Sequence, residues 1–138
     1  MKNIEVRSPW DNKVFEKVQT NNENDIESIL SRGYELAQEK SKNLPIFKRI
    51  QILKKFSSLI KENTSFLANQ AVKEGGKPLT DTLIEINRGF EGVESCIEVL
   101  KSNSGNVIPM DINKSSINRL AFTQKEPIGL VLAISAFN

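Results

Sequence analysis

Few side chains in this sequence could carry covalent chemistry. Cys96 is the one cysteine, and there is no histidine. Ser-His and Cys-His nucleophilic pairs and the common zinc ligand sets are therefore ruled out within these residues. No base and no helix N-terminus is apparent near Cys96, so it reads as a small packing residue and not as a nucleophile. The other stretch with chemical potential is the last fourteen residues, KEPIGLVLAISAFN. Pro127 and Gly129 flank a turn, and Leu130-Val131-Leu132-Ala133-Ile134 follows as a short apolar, partly β-branched run. Such a run predicts a strand buried on both faces. Strands of that kind deliver functional groups from their carboxyl ends, where Ser135, Ala136, Phe137 and Asn138 stand. Two readings follow from the residue types. Either 130–134 is one more core strand with Asn138 as a cut end, or the sequence breaks off where a site begins.

The elements that must position this stretch can be taken in order. Ile4 and Val6 alternate with Glu5 and Arg7, Ser8 to Asn12 are turn-rich, and Val14, Phe15 and Val18 make a return strand. This predicts a β-hairpin over 3–19. Asn24 followed by Glu27 suggests a capping box and a helix over about 24–41, with Ile26, Ile29, Leu30, Gly33 and Ala37 on one face. Pro45 suits the first turn of a second helix, 45–62, striped by Ile46, Ile50, Leu53 and Ile60. A third helix, Thr64 to Lys73, turns Phe66, Leu67, Ala68 and Ala71 inward and stops at Gly75-Gly76. The fourth, about 79–103, carries Leu83, Ile86, Phe90, Val93, Ile97 and Leu100 at alternating spacings of three and four. Gly89 and Gly92 each weaken that helix by about 1 kcal/mol relative to alanine, a cost expected to be offset by close approach of another element. Residues 102–116 read as loop and 117–125 as extended, with Leu120 and Phe122 on one face.

Composition narrows the function classes. The chain has 138 residues, 38% hydrophobic and 26% charged, with a net charge of +2. That fits one soluble globular domain. The charges are interspersed, and Lys48, Arg49, Lys54 and Lys55 fall on the solvated side of a helix, so no nucleic-acid footprint is expected. No apolar run approaches the roughly 20 residues that span a bilayer. The opening MKNIEVRSPWDNK has no signal-peptide core. One cysteine permits no internal disulfide, which suits a reducing, cytoplasmic setting. A single buried-type strand also needs parallel neighbours, whose crossovers this sequence does not contain.

Four stretches resemble the N-terminal part of the NAD(P)-dependent aldehyde dehydrogenase family. SPWDNKVFEKV is similar to the family's opening hairpin, and RIQILKKFSSLIKEN to its helix of the type R..iL...a.ll. Glu74-Gly75-Gly76-Lys77-Pro78 is close to E-[ST]-G-K-P. Glu126 through Asn138 is similar to EP.GvV..I.PwNfP, and VIPMD fits the preceding loop. They run end to end in the family's order. The ISAFN form resembles the branch that acts on lactaldehyde or phosphonoacetaldehyde.

The resemblance implies an α/β fold: a β-hairpin, a helical block, and the start of a Rossmann-like sheet with an oligomerisation strand. It divides the chain into a hairpin and helical part of the cofactor-binding domain (1–116), an oligomerisation-arm strand (117–126) and the first strand of an incomplete Rossmann-like core (127–138). It implies oxidation of an aldehyde to a carboxylic acid with NAD or NADP through a cysteine thiohemiacetal, in a homo-oligomer built through 117–126, with no nucleic-acid or membrane partner. Asn138 matches the asparagine whose amide stabilises the oxyanion, a role an amide can fill without titrating. Ile134, Ser135, Ala136 and Phe137 match the segment lining the dinucleotide, with Ala136 in place of a frequent proline. The family's nucleophilic cysteine, its base glutamate and its phosphate-binding glycine turn have no counterpart in these residues, and Cys96 matches none of them. The chain by itself is therefore expected to be inactive. Two alternatives remain open: a non-catalytic helical module that binds a partner, and a fragment that assembles with its complement in trans.

Overall fold

The computed structural model describes residues 2–39 and 43–135. An N-terminal hairpin pairs β1 (Asn3–Arg7) with β2 (Val14–Gln19) in antiparallel register, Ile4 opposite Val18 and Glu5 opposite Lys17. The register slips between Val6 and Arg7, a bulge that bends the strand toward its turn. The turn is closed by the Ser8 N–H donating to the Lys13 carbonyl at 2.9 Å, and Asn12 takes the left-handed conformation, φ 56°.

Four helices follow: α1 (Glu23–Gln38), α2 (Ile46–Glu62), α3 (Thr64–Gly75) and α4 (Leu79–Ser102). The capping box of α1 lies two residues earlier than expected. Asn22 Oδ1 accepts from the Asp25 N–H at 2.9 Å, and Asp25 Oδ2 accepts from the Asn22 N–H at 3.1 Å. Asn22 and Asn24 both offer a cap, and the shorter Asp25 carboxylate selects the first frame. Pro45 stands one position outside α2 as its N-cap, and its carbonyl accepts from Lys48 and Arg49. Asn63 ends α2 and begins α3.

The chain leaves α3 at Gly76, whose left-handed φ of 66° lets its N–H reach the Val72 carbonyl at 2.9 Å. A side chain there would also meet Pro9 Cγ at 2.7 Å, so the hairpin tip rests on this helix end.

The core is small and centred on α4, which packs against both α2 and α3. Ala68 and Ile97 are its fully buried apolar residues among those described. Two polar residues share the seam. Ser57 Oγ donates to Glu94 Oε1 at 2.6 Å, and Thr82 Oγ1 donates to the Pro78 carbonyl at 2.9 Å. Among the described residues, no buried side-chain nitrogen or oxygen lacks a partner. Lys61 lies 5.7 Å over the Phe90 ring, tying α2 to α4 a second time.

Three expectations need correction. Phe66 and Leu67 are both exposed, because the buried residue of α3 is Ala68. Among the described residues, nothing stands within 4 Å of where a Gly89 or Gly92 side chain would begin, so no described element approaches them. Residues 117–125 are extended only in part. Residues 114–118 form a turn, and the ladder is limited to β4 (Ala121–Phe122), paired antiparallel with β3 (Val107–Ile108).

Gly105, at φ 129°, makes that pairing possible. A side chain there would stand 2.8 Å from the Thr123 carbonyl carbon and overlap its oxygen.

Candidate functional site

The stretch after β4 runs along the outside of the helical block. Residues 130–134 form no strand, and the expected two-faced burial is absent: Leu132 is 81% and Ile134 87% exposed. A strand is held by ladder hydrogen bonds, and among the described residues this run has no neighbouring strand to supply them.

The start of the stretch is nevertheless anchored. Leu130 lies against Gly33 of α1, its Cδ1 2.9 Å from where a Gly33 side chain would begin. Gly129 lies beside Ala37, whose methyl is 3.9 Å from where a Gly129 side chain would begin. The helix has a notch at Gly33, and the first apolar residue of the run fills it. A trough of about 350 Å³ runs beneath this contact, lined by Gly33, Leu36, Ala37, Asn43, Pro127 and Leu130.

Of the five residues matched to a cofactor and oxyanion role, the structure describes two. Ile134 and Ser135 are both exposed, beyond the anchored part of the segment. Ala136, Phe137 and Asn138 lie outside the described residues. An accessible branched apolar side chain and an accessible hydroxyl suit contact with a planar ring and a sugar. They do not bind pyrophosphate, which needs converging backbone N–H groups or a cation.

No group of three or more potential metal ligands occurs among the described residues. Cys96 is exposed in the interior of α4. Asp11 has a carboxyl held below its ordinary value, first by the Lys13 ammonium and then by Ser8, but it sits in the hairpin turn. None of these joins the C-terminal stretch in a site. No described helix is long and apolar enough to cross a membrane.

A second concavity of about 460 Å³ separates the start of α2 from the end of α4 and the 122–125 segment. Ile46, Val99, Leu100 and Phe122 give it an apolar floor, and Arg49 and Lys125 stand at its rim. No local sequence pattern marks this groove, because its walls come from three distant stretches.

Comparison with known proteins gives the context for these surfaces. The lactaldehyde dehydrogenase of Methanocaldococcus jannaschii is 31% identical over 135 residues, covering 98% of this chain and 28% of that protein. The NADP-dependent glyceraldehyde-3-phosphate dehydrogenase of Arabidopsis thaliana is 28% identical over 140 residues, covering 99% of this chain and 28% of that one. Among solved structures, the glyceraldehyde-3-phosphate dehydrogenase GapN of Methanocaldococcus jannaschii, complexed with NADP, superposes with a TM-score of 0.81 at 27% identity. The match covers 92% of this chain and 26% of that chain. The chain thus spans little more than a quarter of the length of the curated relatives it matches. The hairpin and helical block are those of the N-terminal part of that fold. The model of the aldehyde dehydrogenase family matches residues 1–138 without remainder, and the chain belongs to that family.

Proposed function

We propose that these residues form the N-terminal part of an enzyme that oxidises a small aldehyde to a carboxylic acid with NAD or NADP. The observation that carries this reading is the family match over the whole of residues 1–138. In this reading the chain contributes one catalytic group. Asn138 donates its side-chain N–H to the oxygen of the aldehyde as negative charge develops there, without itself ionising. Ile134, Ser135, Ala136 and Phe137 form one lip of the dinucleotide site. The dinucleotide, when bound, supplies the hydride acceptor. Leu130, seated at Gly33, anchors the start of the stretch that leads to this lip.

The nucleophilic cysteine, the base and the phosphate cradle belong to other parts of a family member, and the 138-residue polypeptide is inactive without them. Lactaldehyde is the favoured substrate, on the strength of the ISAFN form and the lactaldehyde dehydrogenase relative. Homo-oligomers form through 117–126, where β4 has one edge paired with β3 and one edge unpaired among the described residues. The lone thiol suits a reducing cytoplasm.

A chimera tests the assignment. Residues 1–138 replace the matching part of the Methanocaldococcus lactaldehyde dehydrogenase, and NAD(P)H formation is followed with lactaldehyde. The chimera is expected to be active, and Asn138→Ala within it to lower kcat by roughly 100-fold or more with little change in KM. An unchanged kcat removes Asn138 from the oxyanion site. NAD(P)H formation by the 138-residue polypeptide alone overturns the inactivity.

A further inference from the structure

Helix α1 is covered at its smallest residues. Past its capping box, Gly33 and Ala37 are the half-buried positions of the helix, about one turn apart on one face, while Ile29, Leu30 and Leu36 stay exposed. What covers them is the stretch that leads to Ile134 and Ser135. Leu130 Cδ1 and Cδ2 stand 2.9 and 3.3 Å from where a Gly33 side chain would begin, and Gly129 stands beside Ala37. Exposure then climbs along the run, from 52% at Leu130 to 87% at Ile134. The hold on this run is at its first residue.

Gly33 is not explained by its own backbone. It lies inside α1 and is not one of the glycines with positive φ. Glycine in a helix interior is a weak choice against alanine. Gly89 and Gly92 of α4 have empty space beside them among the described residues, whereas the space beside Gly33 is filled by Leu130. What this position contributes is the absence of a side chain.

We propose that Gly33 is a positioning residue for the dinucleotide: its bare backbone seats Leu130, and that seat sets where Ile134 and Ser135 meet the cofactor. The inference rests on the reading of 134–137 as one lip of the dinucleotide site. A side chain at residue 33 pushes Leu130 away. Carbon–carbon contacts are comfortable at about 3.5–4.0 Å, so its first carbon alone asks for a shift of roughly 1 Å from Cδ1. Cδ1 is the free end of a side chain and can turn away from a methyl. It cannot clear a whole leucine, so the backbone at residue 130 must move. Displacements of about 1 Å in a positioning element cost up to about 100-fold.

The chimera that carries residues 1–138 within the Methanocaldococcus lactaldehyde dehydrogenase is the host for the test. The probe is NADP+, the dinucleotide complexed with GapN, and calorimetry reads its Kd without turnover. Gly33→Ala is expected to change Kd by less than about threefold, and Gly33→Leu to raise it roughly tenfold or more. Leucine is a strong helix former, so Gly33→Leu does not weaken α1. A loss of folded enzyme would lower kcat and leave Kd and KM unchanged. Displacement of the lip raises Kd and KM for NADP+ and leaves the KM for lactaldehyde unchanged. Leu130→Ala empties the notch and should raise Kd as well. Adding Gly33→Leu to Leu130→Ala refills the notch from the helix side and should recover most of the loss. An unchanged Kd in Gly33→Leu overturns the proposal, and so does a double variant no better than Leu130→Ala alone. In the 138-residue chain itself, with no cofactor present, NMR should show an Overhauser contact between the Leu130 methyls and the Gly33 α-protons. Its absence also overturns the proposal. A chimera that binds no NADP+ refutes the lip reading and this inference together. A chimera that binds NADP+ and oxidises lactaldehyde but is indifferent to Gly33→Leu refutes this inference alone.

Discussion

Replacing Gly105 with alanine isolates the close approach on which the β3–β4 ladder depends. Gly105 sits at φ 129°, where a side chain costs about 1–3 kcal/mol. The added methyl also meets the backbone of residue 123, 2.8 Å from its carbonyl carbon. Backbone cannot swing aside as a side-chain tip does, so the two segments must part. Parting breaks the Thr123 N–H bond to the Asn106 carbonyl, 2.8 Å, and the Asn106 N–H bond to Thr123 Oγ1, 2.9 Å. At about 1 kcal/mol net each, the total is roughly 3–5 kcal/mol of local destabilisation. The β3–β4 ladder is only two residues long and cannot absorb that. Hydrogen–deuterium exchange read by mass spectrometry is the assay. Peptides containing Asn106 and Thr123 should exchange at the rate of open chain, while peptides around Ile97 keep their protection. Retained protection at Thr123 would refute the reasoning, because it requires more room between these segments than the structure contains.

The same substitution has the opposite sign on α4. Gly92→Ala meets nothing within 4 Å and should stabilise the isolated chain by about 0.5–1 kcal/mol, read as a rise in urea midpoint. Ile97→Ala opens a cavity at a fully buried site and should cost about 3 kcal/mol, seen as a lower midpoint or loss of the cooperative transition. Asp11 should titrate below its ordinary 3.8, held there first by Lys13 and then by Ser8. A lowered carboxylate pKa contributes stability above the ordinary value and loses it as pH falls through the lowered one. Carbon NMR of the Asp11 carboxyl should therefore place its midpoint under 3.8, and Lys13→Ala should move it upward.

Local sequence announced every helix and the hairpin because each carries its own boundary chemistry. Pro45 and Pro78 open helices, Gly76 closes one, and the Asn22–Asp25 frame differs from the Asn24–Glu27 frame by only two residues. The interior was less legible. Apolar periodicity nominated Ile97 correctly, yet the seam also buries Ser57 and Thr82, which are small enough for close helix approach and satisfied by Glu94 and the Pro78 carbonyl. Periodicity assigns a face but not its occupant: it turns Phe66 inward, whereas Phe66 stands exposed. The stretch at 130–134 has strand composition without a strand, since pairing is a property of two segments and only one is present among the described residues. The candidate site was legible only through motif resemblance. Two of its five residues, Ile134 and Ser135, are described, and the residue types alone do not mark them.

The rest of the hairpin tip on Gly76 has a practical consequence. Trp10, the one tryptophan in the sequence, belongs to that tip, and its Nε1 lies 3.6 Å from where a Gly76 side chain would begin. The indole is 77% exposed even with the tip at rest, so only its Nε1 edge changes surroundings when the hairpin leaves the end of α3 and the emission change is small, while far-ultraviolet dichroism reports the four helices. If seating and helix formation are separate events, the two signals will diverge on denaturation. The divergence would time the arrival of the N-terminal strands on a helical block already formed.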